Sequence, residues 1–192
     1  MLEIGCGDRG GAVFALEAAG YEPLGIDPHA PEGRRFRALT LEELDDQGPF
    51  LAVVASRVLH HVTPLDAALD KLARLAPLVV VDDFAPERID EGAREWYRGQ
   101  YRALRLAGQE PPGPPDLDAW REAHAGLHPS AAMLAALRAR YDERFFEERP
   151  YLHRWLGGVA TESLEETLVS AGAIPAIGWR FVGSSRACGQ QE

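Results

Sequence analysis

The chain has 192 residues, 46% of them hydrophobic, enough to bury one sizeable core, and its length fits one domain. Its formal net charge of -10 disfavours a phosphate-binding surface and therefore a nucleic-acid partner, since such affinity comes from Lys and Arg neutralising phosphates. No apolar run approaches the roughly 18 residues of a membrane span and no secretory leader is recognisable, so a cytoplasmic protein without a membrane partner is expected.

Residues 1 to 83 alternate short apolar runs with helical segments, the pattern of a parallel sheet covered by helices. "MLEI" is the first strand, and a helix over about 11–19 stops at Gly20. "PLGID", residues 23–27, is a second strand ending in an acid. "PHAPEGRRFRAL" is too short for a full crossover helix and a well-formed third strand, so an abbreviated edge is expected. "TLEEL" reads as a restarting helix. "FLAVVAS", residues 50–56, is a buried strand by its continuous apolar content. In "TPLDAALDKLARLA" the spacing predicts a helix with Thr63 as N-cap and Pro64 at the first helical position. "LVVVDD", residues 78–83, is the next buried strand.

From Phe84 to about Gly158 the pattern is helical without strands. Tyr97, Tyr101 and Leu104 share one helical face, as do Trp120, His124 and Leu127, and Leu134, Leu137 and Tyr141. This segment holds three of the four tryptophans and follows the carboxyl end of a strand, where open α/β sheets bind ligands. It reads as a lid or substrate-side insertion within one domain, between a cofactor-binding half (1–83) and a closing helix and strand (159–192). That helix, "TESLEETLVSAG", is expected to be capped by Thr161 or Ser163 and ended by Gly172, and the strand is "IPAIGWRFVG".

Glycines after a first strand let the backbone turn sharply and approach a ligand. Gly5, Gly7 and Gly10 satisfy G-x-G-x-x-G, and Asp27 ends the second strand, where an acid can accept from both hydroxyls of a ribose. Spacing alone fits a dinucleotide cofactor as well as any other nucleoside ligand.

"LEIGCG" resembles the first motif of class I S-adenosylmethionine-dependent methyltransferases, where an acid, here Glu3, stands two residues before the first glycine. "GID" resembles the family's ribose-binding segment, "FLAVVASRVLHHV" its fourth strand and His-His turn, and "LVVVDDF" its fifth strand. The resemblance implies a Rossmann-like, mostly parallel α/β sheet and S-adenosylmethionine as cofactor, held by Glu3, Gly5, Cys6, Gly7, Asp27 and Ser56, with the Glu3 carboxylate orienting the methionine ammonium. The chain departs from the pattern at Arg9, which replaces a glycine, at Leu51, which replaces an Asp, and at Leu39 and Thr40, where the family often has an Asp for the adenine. The family's helix upstream of the first strand has no counterpart, as in a minimal or N-terminally shortened form, and only one strand follows Gly172.

Methyl transfer is an in-line displacement driven mainly by alignment, and a base is needed only for an acceptor that arrives protonated. His60, His61 and Asp83 are the catalytic candidates, with at least one of the two histidines expected to be structural. Trp96, Trp120, His124, His128 and Tyr151 are the substrate-side candidates, a set that suits a small, partly apolar acceptor. No metal site is expected: the histidines lack ligand spacing, Gly126 and Pro129 interrupt a helix through His124 and His128, and Cys6 and Cys188 stand at opposite ends. The rival readings are a nicotinamide-dependent oxidoreductase, resting on the glycines and Asp27, and a methyltransferase-like binding module without turnover.

Overall fold

Seven strands form one sheet in the order β3-β2-β1-β4-β5-β7-β6 in the computed structural model, which describes residues 1–45 and 48–186 and only the backbone of 159 and 160. Cys188 lies outside the described residues. The first five strands are β1 (Leu2–Ile4), β2 (Leu24–Asp27), β3 (Phe36–Ala38), β4 (Val53–Ser56) and β5 (Leu78–Phe84). They are mutually parallel, with Glu3 of β1 in register with Gly25 of β2 and Val54 of β4. Strand order reverses between β1 and β4, which places a crevice outside their carboxyl ends.

β7 (Gly178–Ser185) runs against β5: Ser185 N–H donates to Pro77 O at 2.8 Å, and Ala85 N–H donates to Ile177 O at 2.7 Å. One strand stands where helix was expected. Tyr141–Arg149 is β6, the outer strand beside β7, and not a continuation of the helix before it. Its sequence, YDERFFEER, is exposed along most of its length and charged on both faces, as suits an edge strand, so it carries no apolar alternation.

Three further expectations are corrected. "TLEEL" forms a turn, not a helix: Thr40 N–H donates to the Glu43 carboxylate at 2.8 Å, Glu43 N–H donates to Thr40 Oγ1 at 3.4 Å, and the capping box closes on itself. Thr63 does not cap α2 (Leu65–Leu75); Pro64, extended with ψ 131°, holds that position and the helix begins one residue later. α6 (Val159–Ser170) starts before Thr161, with Gly158 at its N-cap, and the Thr161 hydroxyl donates to Gly158 O. Gly172 follows its end with φ +69°, as a helix terminator should.

The residues fall into two compact units. Among the described residues, one comprises 1–45, 48–83, 131–146 and 180–186, and holds α1 (Val13–Ala18) and α2. The other comprises 84–130 and 147–179, with α3 (Glu91–Leu106), α4 (Leu117–Ala123) and α6 around a core that includes Phe84, Ile89, Tyr97, Tyr151, Leu152 and Ile177. α5 (Ser130–Arg140) and most of β6 return to the first unit. In the second unit the buried Glu165 carboxylate accepts N–H bonds from Tyr151, Leu152 and His153 at 2.7–2.9 Å, fixing the start of the 3-10 turn Leu152–Trp155 against α6. Among the described residues no helix is long and apolar enough to cross a membrane.

Candidate active site

The turn after β1 is tied to β2 by the Gly5 and Cys6 N–H groups, which donate to Ile26 O at 2.8 and 3.3 Å. Gly5 has φ +72°, and a Cβ there would stand 2.4 Å from the Val58 side chain. Behind the turn the fully buried Glu3 accepts the Ala12 N–H on both carboxylate oxygens at 2.8 Å. Gly11 leaves room for this, since a Cβ there would lie 2.4 Å from Glu3 Oε1. Burial holds the Glu3 carboxyl above its ordinary pKa, opposed by the amides of Ala12 and Val13 and by the Arg57 charge.

In front of the turn a cavity of about 270 Å³ opens, lined by Ile4, Gly5, Asp27, Leu39, Thr40, Glu42, Val58 and His61 among others. Asp27 is steadied by the His29 N–H, which donates to its Oδ1 at 2.7 Å. Glu3 is absent from that wall, so its hold on the site runs through the turn. Cys6 points away: its thiol packs with Val13 and Phe36, and burial pushes its pKa up to about 11, helped by the Glu3 and Asp27 charges. Ser56, half-buried at the end of β4, is also outside the lining. Gly7 is in the turn, with φ +63°.

An alanine at Gly5 must both clash with Val58 and adopt a left-handed backbone. Gly5→Ala is expected to destabilise the fold by about 2 kcal/mol, read as a lowered melting temperature. Gly7→Ala is the control, because nothing lies within 4 Å of the place its methyl group would take and only the backbone cost of about 1 kcal/mol remains.

The three catalytic candidates divide by burial. His60 Nδ1 and Asp83 Oδ1 are 2.7 Å apart, Asp83 Oδ2 accepts the Leu59 N–H at 3.0 Å, and His60 and Asp83 are 4% and 0% exposed. This pair locks the 3-10 turn Leu59–His61 to the end of β5. His61 is exposed, lies on the cavity wall, and its ring centroid is 4.2 Å from that of His60. The neighbouring Asp82 pairs with Arg180 at 2.9 Å.

Residues 1–124 match a family model described as a methyltransferase domain. The chain belongs to this methyltransferase-domain family. No curated protein matches it. Solved structures resemble the methyltransferase domain in fold: an S-adenosylmethionine-dependent methyltransferase from Mesorhizobium loti is 13% identical with a TM-score of 0.59, over 95% of this chain and 89% of that one. A counterpart from Listeria monocytogenes is 14% identical with a TM-score of 0.54, over 96% and 90%. Geranyl diphosphate C-methyltransferase from Streptomyces coelicolor, solved with S-adenosylhomocysteine, is 13% identical with a TM-score of 0.55, over 96% and 71%.

In the second unit of the methyltransferase domain, Trp120 and His124 come together: their rings stack at 4.4 Å, and His124 Nδ1 lies 2.7 Å from Trp120 O. Both line a pocket of about 150 Å³ with Pro86, Glu87 and Leu127. The remaining substrate-side candidates lie outside that pocket's lining. Tyr151 is 3% exposed and stacks on Phe84 at 4.6 Å, a core position. Trp96 packs against the same core, with its indole nitrogen buried and without a hydrogen-bond partner among the described residues. His128 is half-buried. Leu41, Glu42, Val58 and Val62 are among the cavity residues that the sequence does not single out; the close approach of Val58 to a glycine 53 residues earlier in the chain leaves no local pattern.

Proposed function

We propose that this domain transfers the methyl group of S-adenosylmethionine to a small-molecule acceptor. The observation that carries the reading is the cavity at the strand-order reversal, with Gly5 and Asp27 on its wall and the Glu3 carboxylate buried behind the turn. The donor set fits that cofactor. Asp27 offers a carboxylate to ribose hydroxyls, and a negative charge behind the turn favours an ammonium while opposing the pyrophosphate of a nicotinamide dinucleotide. Bound there, S-adenosylmethionine supplies a methyl group activated by its sulfonium.

The chain's own part is to position and to exclude water. Leu39, Leu41, Val58 and Val62 give the cavity apolar walls against which a nucleoside can pack. His61, exposed on that wall, is the candidate to take a proton from an acceptor that carries one; His60 and Asp83 act behind it as positioning residues. Trp120 and His124 are candidate acceptor contacts, on a hollow of roughly 150 Å³ within the second unit.

S-adenosylhomocysteine at one hundred times its dissociation constant is expected to add about 2.7 kcal/mol of stability, or roughly 5–10 °C in melting temperature for a chain of this size. NADH is expected to give no shift. A shift with NADH and none with S-adenosylhomocysteine in the same thermal melt overturns the reading.

A further inference from the structure

Of the 20 basic residues only Lys71 is a lysine, and it is bonded to backbone. From the middle of α2 its Nζ donates to Leu44 O at 2.6 Å and to Glu42 O at 3.1 Å. Those two carbonyls belong to the stretch after β3, and Leu39, Thr40, Leu41 and Glu42 of that stretch line the cavity beside Asp27. Among its described residues the stretch contains no helix; the Thr40–Glu43 turn, the Leu39 and Leu44 N–H groups donating to Arg37 O and Leu41 O, and the buried side chains Leu41 and Leu44 hold it together with Lys71. An ammonium suits the task because its donors radiate from one atom and can serve two converging carbonyls, whereas a guanidinium spreads its donors in a planar fork matched to carboxylates.

We propose that Lys71 is a positioning residue for the cofactor: by holding Glu42 and Leu44 it sets the Leu39–Glu42 wall against which the nucleoside end packs, without touching the ligand itself. The proposal rests on the reading of this cavity as the cofactor site. It accounts for how a wall with Leu39 and Thr40 in place of an adenine-binding acid can still be specific, since a backbone wall recognises a ligand only if it is held still.

The test compares the whole chain with Lys71→Met and Lys71→Arg by calorimetric titration of S-adenosylhomocysteine and of methylthioadenosine, which has the nucleoside but no amino-acid end. Lys71→Met is expected to weaken both ligands alike by about tenfold, the worth of a lost charge-assisted hydrogen bond. Lys71→Arg, which keeps a cation and donors in reach, is expected to recover at least about threefold of this. A second readout needs no variant: acetylation of the lone lysine by an amine-reactive ester, followed by mass spectrometry of its peptide, is expected to slow severalfold under saturating S-adenosylhomocysteine. If the wild type binds S-adenosylhomocysteine while Lys71→Met binds it within twofold, or while acetylation of Lys71 is unaffected, the positioning role is overturned and the cofactor reading stands. If the wild type binds neither ligand, the cofactor reading falls and the proposal with it.

Discussion

Asp83→Ala is expected to lower the melting temperature by about 10 °C, the largest stability loss from any single change near the site. The carboxylate is fully buried and has two partners on the 3-10 turn, His60 Nδ1 at 2.7 Å and Leu59 N–H at 3.0 Å. Truncation leaves both without that acceptor in a dry place, and each buried polar group left unsatisfied costs about 1–3 kcal/mol, so about 3–5 kcal/mol together. At roughly 2–4 °C per kcal/mol for a chain of this length, the shift is about 10 °C. Asp83→Asn keeps the shape and one acceptor oxygen, so about half of the loss is expected. A His60→Ala change should then cost much less in the Asp83→Ala background than in the wild type, because the two residues act as one unit. If Asp83→Ala melts within about 2 °C of the wild type, the pair is not what ties this turn to β5. Activity is expected to fall with the fold, since His61 on the cavity wall sits on the same turn.

That dependence leaves no trace in the sequence. His60 and His61 are adjacent and chemically identical, and only burial distinguishes the one that meets Asp83 from the one that meets the cavity. The acids divide the same way: Asp82 and Asp83 project to opposite faces of β5, one toward Arg180 and one into the interior. By contrast, β1, β2, β4, β5 and α2 were legible because central parallel strands and their covering helix need continuous or periodic apolar residues. Gly5 was legible because a sharp left-handed turn demands a glycine, whereas Glu3 stood out only through its place in a motif that resembles the family's. β6 was not: at the sheet's edge, Asp142, Glu143, Arg144, Glu147, Glu148 and Arg149 meet few packing constraints, and nothing periodic remains to read. Lys71 was visible only as an oddity of composition, because the carbonyls it holds lie 27 and 29 residues away in sequence.

Glu3→Ala is expected to weaken S-adenosylhomocysteine binding by at least about 100-fold and to cost about 2 kcal/mol of stability. Two effects combine in it. Alanine leaves the Ala12 N–H without its acceptor and empties the space beside Gly11, so the turn in front of the cavity loses its backing. It also removes the negative charge behind the site. Glu3→Gln separates the two. Glutamine can still accept the Ala12 N–H, so the turn persists, yet the charge is gone. The sign of the stability change follows from burial, which raises the Glu3 pKa in the folded state. The folded chain then holds that proton more tightly than the unfolded one, so the stability Glu3 contributes is present at low pH and is lost as pH rises through the raised value. The neutral glutamine has no such loss, and at pH 7 Glu3→Gln without ligand is expected to be at least as stable as the wild type, within about 1 kcal/mol. Binding moves the other way. A ligand ammonium is favoured only by the ionised carboxylate, so wild-type affinity for S-adenosylhomocysteine should decline on acidification at a pH above the usual carboxylate range, while Glu3→Gln should be flat there and about tenfold weaker at neutral pH. Methylthioadenosine, which has no ammonium, should bind Glu3→Gln and wild type equally. Equal losses for both ligands would mean that Glu3 serves the turn alone and that its charge plays no part in holding the amino-acid end.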